Sequence, residues 1–139
     1  MDLRRYNEAF ARNVGWVTSA EQDMLRGKRI ALAGLGGVGG SHLLTLTRLG
    51  VGAFHIADLD NFELINFNRQ AGATTSTIGK SKVSVLAQMA RDINPDLEIC
   101  EFPEGVQPSN ADAFLQGCDL YVDGIDFFAV DARRLIFRK

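Results

Sequence analysis

Residues 30 to 40 run Ile-Ala-Leu-Ala-Gly-Leu-Gly-Gly-Val-Gly-Gly, an apolar stretch that passes directly into five glycines. The apolar half reads as a buried strand, and Leu43-Leu44-Thr45-Leu46 beyond the glycines suits a helix. Gly34, Gly36 and Gly39 hold the G-x-G-x-x-G spacing. Such glycines let the chain turn tightly and let an anion approach the main chain without meeting a Cβ. A helix opening there offers unpaired N–H groups and the positive end of its dipole. A second short strand is expected at Ala53–Ala57, so strand, helix and strand fall within about thirty residues, the length of a βαβ unit. That unit favours a parallel, right-handed crossover.

The remaining pattern extends this unit. A helix is expected over 2–14, with Leu3, Tyr6 and Phe10 on its apolar side. A second, capped by Thr18, or by Ser19 with Gln22 three residues on, would end near Gly27. Arg29–Ala33 is the first strand, 37–49 its helix and Gly50 the stop. A long polar stretch, 60–78, precedes a helix over 79–93 that Asn94-Pro95 ends. A third strand over 97–102, a short helix capped by Ser109 or Asn110, and a fourth strand over 118–122 follow. The last helix starts near Phe128 and is still running at Lys139, an ending that suggests a segment of a longer protein.

The expected fold is therefore α/β: a doubly wound, Rossmann-like, mostly parallel sheet with N-terminal helices, truncated after its fourth strand. Residues 1–28 would form the helical segment and 29–139 an incomplete nucleotide-binding domain.

Composition excludes several functions. A chain of 139 residues suffices for one domain with its own core. A net charge of -2 without a basic run gives no attraction for DNA or an acidic membrane surface. No apolar stretch approaches the ~18 residues of a membrane span, and the charged N-terminus lacks a signal-peptide core. Cys100 and Cys118 form no C-x-x-C pair, which fits reduced core cysteines in a cytoplasmic protein. His42 and His55 lack ligand spacing and read as structural; Trp16 and the phenylalanines read as core or dimer contacts.

Asp58 stands at the end of the second strand, where a carboxylate accepts hydrogen bonds from ribose hydroxyls. It suits NAD and ATP equally. Asn66, Arg69, Lys80 and Lys82 follow it, and Asp126 comes after the fourth strand. In an open parallel sheet these positions gather at one edge. Arg and Lys can stabilise charge building on a leaving pyrophosphate, and an aspartate can hold Mg²⁺ against phosphate oxygens. The cations favour ATP chemistry over hydride transfer.

Gly34-Leu-Gly-Gly-Val-Gly39, Asp58-Leu-Asp60, Asn66-Phe-Asn-Arg69-Gln70 and Gly79-Lys-Ser-Lys82 together resemble the ThiF/MoeB and ubiquitin-activating adenylation family. Ile93-Asn94-Pro95 and the segment 119–126 continue the resemblance in order and spacing, from about Arg12 to the end of the chain. The N-x-x-R-Q element is its most specific part.

The resemblance implies ATP-dependent adenylation of a carboxylate, with release of pyrophosphate. The carboxylate would be the C-terminus of a ubiquitin-like or sulfur-carrier protein, a small molecule, or a tRNA-borne group. By the same resemblance Gly36 and Gly37, within the Gly34–Gly39 turn, cradle phosphates. Asp58, with Asp60 beside it, holds the ribose. Asn66, Arg69 and Lys82 contact phosphates, and Asp126 binds Mg²⁺. Arg12 would act across a homodimer on the partner's ATP.

Phe127-Phe128 depart from the family, where a polar residue often follows the metal aspartate. Nothing here matches the later catalytic cysteine or the zinc C-x-x-C pairs of some members. Two other functions stay open: a non-catalytic nucleotide- or partner-binding module, and an NAD-dependent oxidoreductase domain.

Overall fold

The computed structural model describes residues 3–139. β1 (Arg29–Ala33), β2 (Ala53–Ala57), β3 (Glu98–Phe102) and β4 (Leu120–Asp123) form one parallel sheet in the order β3-β2-β1-β4. In register, Ile30 stands beside Phe54 and Leu120, and Ala33 beside Ala57 and Asp123. The chain winds outward from β1 to β3, then returns on the far side of β1 to place β4. The crevice of this doubly wound sheet therefore opens between the carboxyl ends of β1 and β4.

The two faces of β1 differ because side chains alternate along a strand. Ile30 and Leu32 point to one face, under α3 (Gly37–Arg48) and α4 (Lys82–Ile93), and join Leu43, Phe54, Ile56, Val83 and Leu86 in the larger core. Each such fully buried side chain stabilises the fold by about 1.5–3 kcal/mol. Ala31 and Ala33 point to the other face, where α5 (Ala111–Leu115) and α6 (Val130–Phe137) supply Phe114 and Ile136. Small strand residues on that side leave room for the Phe114 ring, which is wholly buried.

The N-terminal segment is α1 (Leu3–Ala9), a 3-10 turn at Ala11–Asn13, and α2 (Ser19–Arg26). It is tied to the end of α3 by buried polar groups. Tyr6 Oη donates to the Gly50 carbonyl at 2.6 Å, and Gln22 Nε2 donates to the Leu49 carbonyl at 2.8 Å.

Several local expectations need correction. The helix expected over 2–14 is α1 followed by the 3-10 turn, and its first position, Asp2, lies outside the described residues. Thr18 caps α2 through a box with Glu21, whose carboxylate accepts the Thr18 N–H at 2.7 Å; Gln22 turns inward instead. α4 starts three residues late because Gly79, at φ +79°, and Ser81, bridged to Asn61, belong to the preceding loop. Cys100 is exposed, since β3 is an edge strand with little packed over it. Trp16, at 93% exposure, is no core residue. His55, by contrast, is structural as its sequence setting implied: Arg29 Nη1 lies 3.1 Å from Nε2, and Nδ1 lies 2.8 Å from the Phe114 carbonyl. A guanidinium only donates, so Nε2 accepts and Nδ1 carries the proton.

Candidate nucleotide site

β1 leads into the site through Gly34, at φ +83°. A Cβ there would overlap the carbonyl of Gly124 in the loop after β4. One turn later Gly39 lies so close to the Gly34 carbonyl that a side chain has no space either. These glycines thus let the β1 turn, the first turn of α3 and the β4 loop meet backbone to backbone. Gly36 is the N-cap of α3 and brings no side chain to cap it. The first N–H groups of this 12-residue helix, with the positive end of its dipole, are left for an anion.

Asp58 closes the turn from the β2 side. Its Oδ2 accepts the Leu35 N–H at 2.6 Å and its Oδ1 accepts the Asp60 N–H at 2.8 Å. Two backbone bonds fix the carboxylate, and each oxygen keeps a further lone pair.

The polar loop after Asp58 folds back over the glycine turn. Asn66 ends a 3-10 turn, Leu64–Asn66, and is buried; its Oδ1 accepts the Glu63 N–H at 2.9 Å. That bond fixes the orientation of the carboxamide and leaves its NH₂ free to donate to a ligand. The aliphatic stem of Arg69 lies against Gly37, where an added Cβ would be 3.3 Å from Cγ. Its guanidinium rests on the Asn68 side chain at 2.9 Å and the Ile65 carbonyl at 3.3 Å. Lys82, the first residue of α4, pairs with Asp60 at 3.1 Å.

A cleft of about 390 Å³ brings most of the expected residues together. Gly34, Gly36 and Gly37 line it from the turn, Asp58 and Asp60 from the β2 end, and Asn66, Arg69 and Lys82 from the loop and α4. Asp126 lines it from the loop after β4, with Gly124, Ile125 and Phe127. Gly39 supports the turn from beneath and Arg12 is exposed on the N-terminal 3-10 turn; neither lines the cleft. A second, more apolar cavity of about 250 Å³ shares Asp58, Asp60 and Asp126 and is walled by Leu59, Val106, Ile125 and Ala132.

Three contributors carried no assignment from sequence. Gly124 is required by the close approach to Gly34. Gln70 is buried in the cleft wall with Oε1 unpartnered, although it stands within the N-x-x-R-Q element. Arg133, on α6, binds Asp123 and the loop that follows it. Burial pulls the Asp123 carboxyl upward, but the Arg133 guanidinium and the Ile125 N–H outweigh it and hold the carboxyl below the usual aspartate range.

Among known proteins, a tRNA threonylcarbamoyladenosine dehydratase of Haemophilus influenzae is 33% identical over 116 residues, covering 83% of this chain and 44% of the relative. A probable adenylyltransferase/sulfurtransferase MoeZ of Mycobacterium tuberculosis is 37% identical over 112 residues, 78% of this chain and 28% of that protein. The crystal structure of the E. coli dehydratase TcdA in complex with ATP superposes with a TM-score of 0.87 at 27% identity, over 94% of this chain and 53% of that one. The chain thus spans about half the length, or less, of the relatives it matches. Its sequence matches the model of the ThiF family over residues 10–139, and with that match and a relative above 30% identity the chain belongs to the ThiF family.

Proposed function

We propose that residues 29–139 form the ATP-binding part of an adenylyltransferase that activates a carboxylate, with 1–28 as a helical segment that braces α3. The observation that carries this reading is the meeting, in one cleft, of the uncapped α3 N-terminus, the fixed Asp58 carboxylate and the cations Arg69 and Lys82. An ATP complex of a structural relative in the same family supports it. An NAD site would leave Asn66, Arg69 and Lys82 without a role.

In this reading the substrate carboxylate attacks the α-phosphorus of ATP. A new P–O bond forms, the bond to the bridging oxygen breaks, and the electron pair leaves on pyrophosphate. The α3 N–H groups and the Asn66 NH₂ donate to phosphate oxygens, and Asp58 accepts from the ribose hydroxyls. Arg69 leaves Asn68 and Lys82 leaves Asp60 to meet negative charge as it builds on the leaving group. Asp60 holds Lys82 in place until then.

The residues also suit Mg²⁺. This hard ion is commonly held by one or two carboxylates plus phosphate oxygens rather than by an all-protein cage. Asp126 supplies a carboxylate to the wall of the same cleft, and no cluster of three acidic, His or Cys side chains competes for an ion among the described residues. When bound, Mg²⁺ neutralises phosphate charge.

The acceptor in this reading is the C-terminal carboxylate of a ubiquitin-like or sulfur-carrier protein, or a small-molecule or tRNA-borne carboxylate. Arg12, exposed and outside its own cleft, would serve the partner's ATP in a homodimer. Free cysteines and the lack of any described helix long and apolar enough to cross a membrane are compatible with a cytoplasmic site of action.

Calorimetry with ATP and Mg²⁺, with NADH as control, tests the reading. Micromolar ATP binding that Asp58→Ala removes supports it. Tighter binding of NADH would overturn it, and a site that binds ATP but never exchanges pyrophosphate in the full-length protein would mark a binding module.

A further inference from the structure

Asp126 sits in an otherwise irregular loop, and one guanidinium grips that loop on both sides of it. Arg133 Nη2 donates to the Ile125 carbonyl at 2.8 Å and Nη1 to the Phe127 carbonyl at 3.4 Å. The same side chain meets the Asp123 carboxylate through Nε at 2.5 Å. Asp123 in turn accepts the Ile125 N–H at 3.1 Å, and Asp126 accepts the Phe127 N–H at 3.0 Å. On the opposite side, Gly124 packs backbone to backbone on Gly34.

Arg133 is itself held by a rigid element. Ile136, one turn further along α6, is buried against Ala31, Ala33 and Phe114. Residues three apart share a helix face, so docking Ile136 aims Arg133 at the β4 loop. The planar fork of arginine can hold a carboxylate and two carbonyls together; a lysine, a point donor on a flexible stem, cannot.

From this geometry we infer that Arg133 is a positioning residue for the metal-binding carboxylate, acting through the 123–127 loop to set Asp126 over the glycine turn. The inference rests on the assignment of Asp126 to Mg²⁺ made above. Arg133 does not itself line the cleft. Its effect on Mg²⁺ is wholly indirect.

The test is a double-mutant cycle on Arg133→Gln and Asp126→Asn, read as the apparent Mg²⁺ affinity in the presence of ATP and as ATP affinity in EDTA. Loss of a residue that orients a metal ligand typically weakens metal affinity by about 10–100-fold. Arg133→Gln is expected to weaken Mg²⁺ by about tenfold, with ATP affinity in EDTA changed less than about twofold. In the Asp126→Asn background it is expected to add nothing, since residues acting through one another are not additive. Arg133→Lys, which keeps the charge and lacks the fork, should fall with Arg133→Gln and provides the readout should the glutamine variant not fold.

Full additivity of the two substitutions would overturn the inference. So would an Arg133 variant with wild-type Mg²⁺ affinity beside an Asp126→Asn variant that has lost it; the Asp126 assignment would then survive alone. Asp126→Asn with unchanged Mg²⁺ dependence would remove the assignment and this inference together.

Discussion

Lys82 Nζ lies 3.1 Å from Asp60 Oδ2, yet the two side chains differ widely in exposure, at 7% against 57%. Lys82 is the first residue of α4, where the helix dipole disfavours a cation. Asp60 therefore offsets an unfavourable placement, and so would a bound phosphate. Lys82→Met keeps the buried stem and removes the charge. It is expected to leave the melting temperature unchanged or raised while weakening ATP binding at least tenfold. Asp60→Ala leaves the buried ammonium unpaired and should cost about 1–2 kcal/mol, below the range for a fully buried pair because Asp60 is half exposed. Urea unfolding and calorimetry of the two variants check this opposition.

Gly34 and Gly79 have similar φ, at +83° and +79°, in very different surroundings. A Cβ at Gly34 would collide with Gly124, whereas at Gly79 nothing lies within 4 Å. Gly79→Ala should cost about 1–2 kcal/mol, the strain of a left-handed residue alone. Gly34→Ala should cost more than that and should also spoil ATP binding, because the turn and the β4 loop must move apart. Thermal melts of both variants, with ATP added to each, separate strain from collision.

Much of this arrangement was legible in the sequence because local rules and fold agree there. The Ile30–Ala33 run, the glycine spacing and Asp58 each state a backbone requirement within a few residues, and β1, the start of α3 and the turn after β2 lie where those patterns put them. The later part of the loop was harder. The start of α4 is displaced by the Asn61–Ser81 bridge and the Lys82 N–H bond to the Asp60 carbonyl at 3.0 Å, contacts across about twenty residues that leave no periodic trace. Arg133 was invisible for a related reason. Two of its partners are main-chain carbonyls, which have no sequence signature, and it looks like any arginine of an amphipathic helix.

Cys100 and Cys118 should differ in reactivity. Cys100 is exposed on edge strand β3, whereas Cys118 is partly buried, near His55 and the Phe114 carbonyl. Burial pushes the Cys118 thiol above its usual range, more than Arg29 nearby lowers it. The thiolate is the reacting form, so access and ionisation both slow Cys118. Iodoacetamide at pH 8 should modify Cys100 first, by at least tenfold in rate. Peptide mass spectrometry over time checks the order, and faster labelling of Cys118 would contradict the packing of α5 on β2.

Asp123 makes the β4 loop sensitive to acid. Its folded pKa lies below the ordinary aspartate value, although burial alone would raise it, because Arg133 and the Ile125 N–H bind the charged form. A carboxylate with a depressed folded pKa contributes stability above its unfolded pKa, about 3.9, and loses it as pH falls through the folded value. The contribution is modest, about 1 kcal/mol, as for pairs that keep some contact with solvent. Wild type should therefore melt a few degrees above Asp123→Asn at pH 7 and at pH 5, and the gap should narrow progressively as pH falls below about 3.9. Melting curves of the two proteins from pH 7 to pH 3 measure the gap directly. A gap of undiminished size from pH 5 down through the acid limb of the melting curves would mean that Asp123 acts through its shape and not its charge, and Arg133 would then be held by the carbonyls of Ile125 and Phe127.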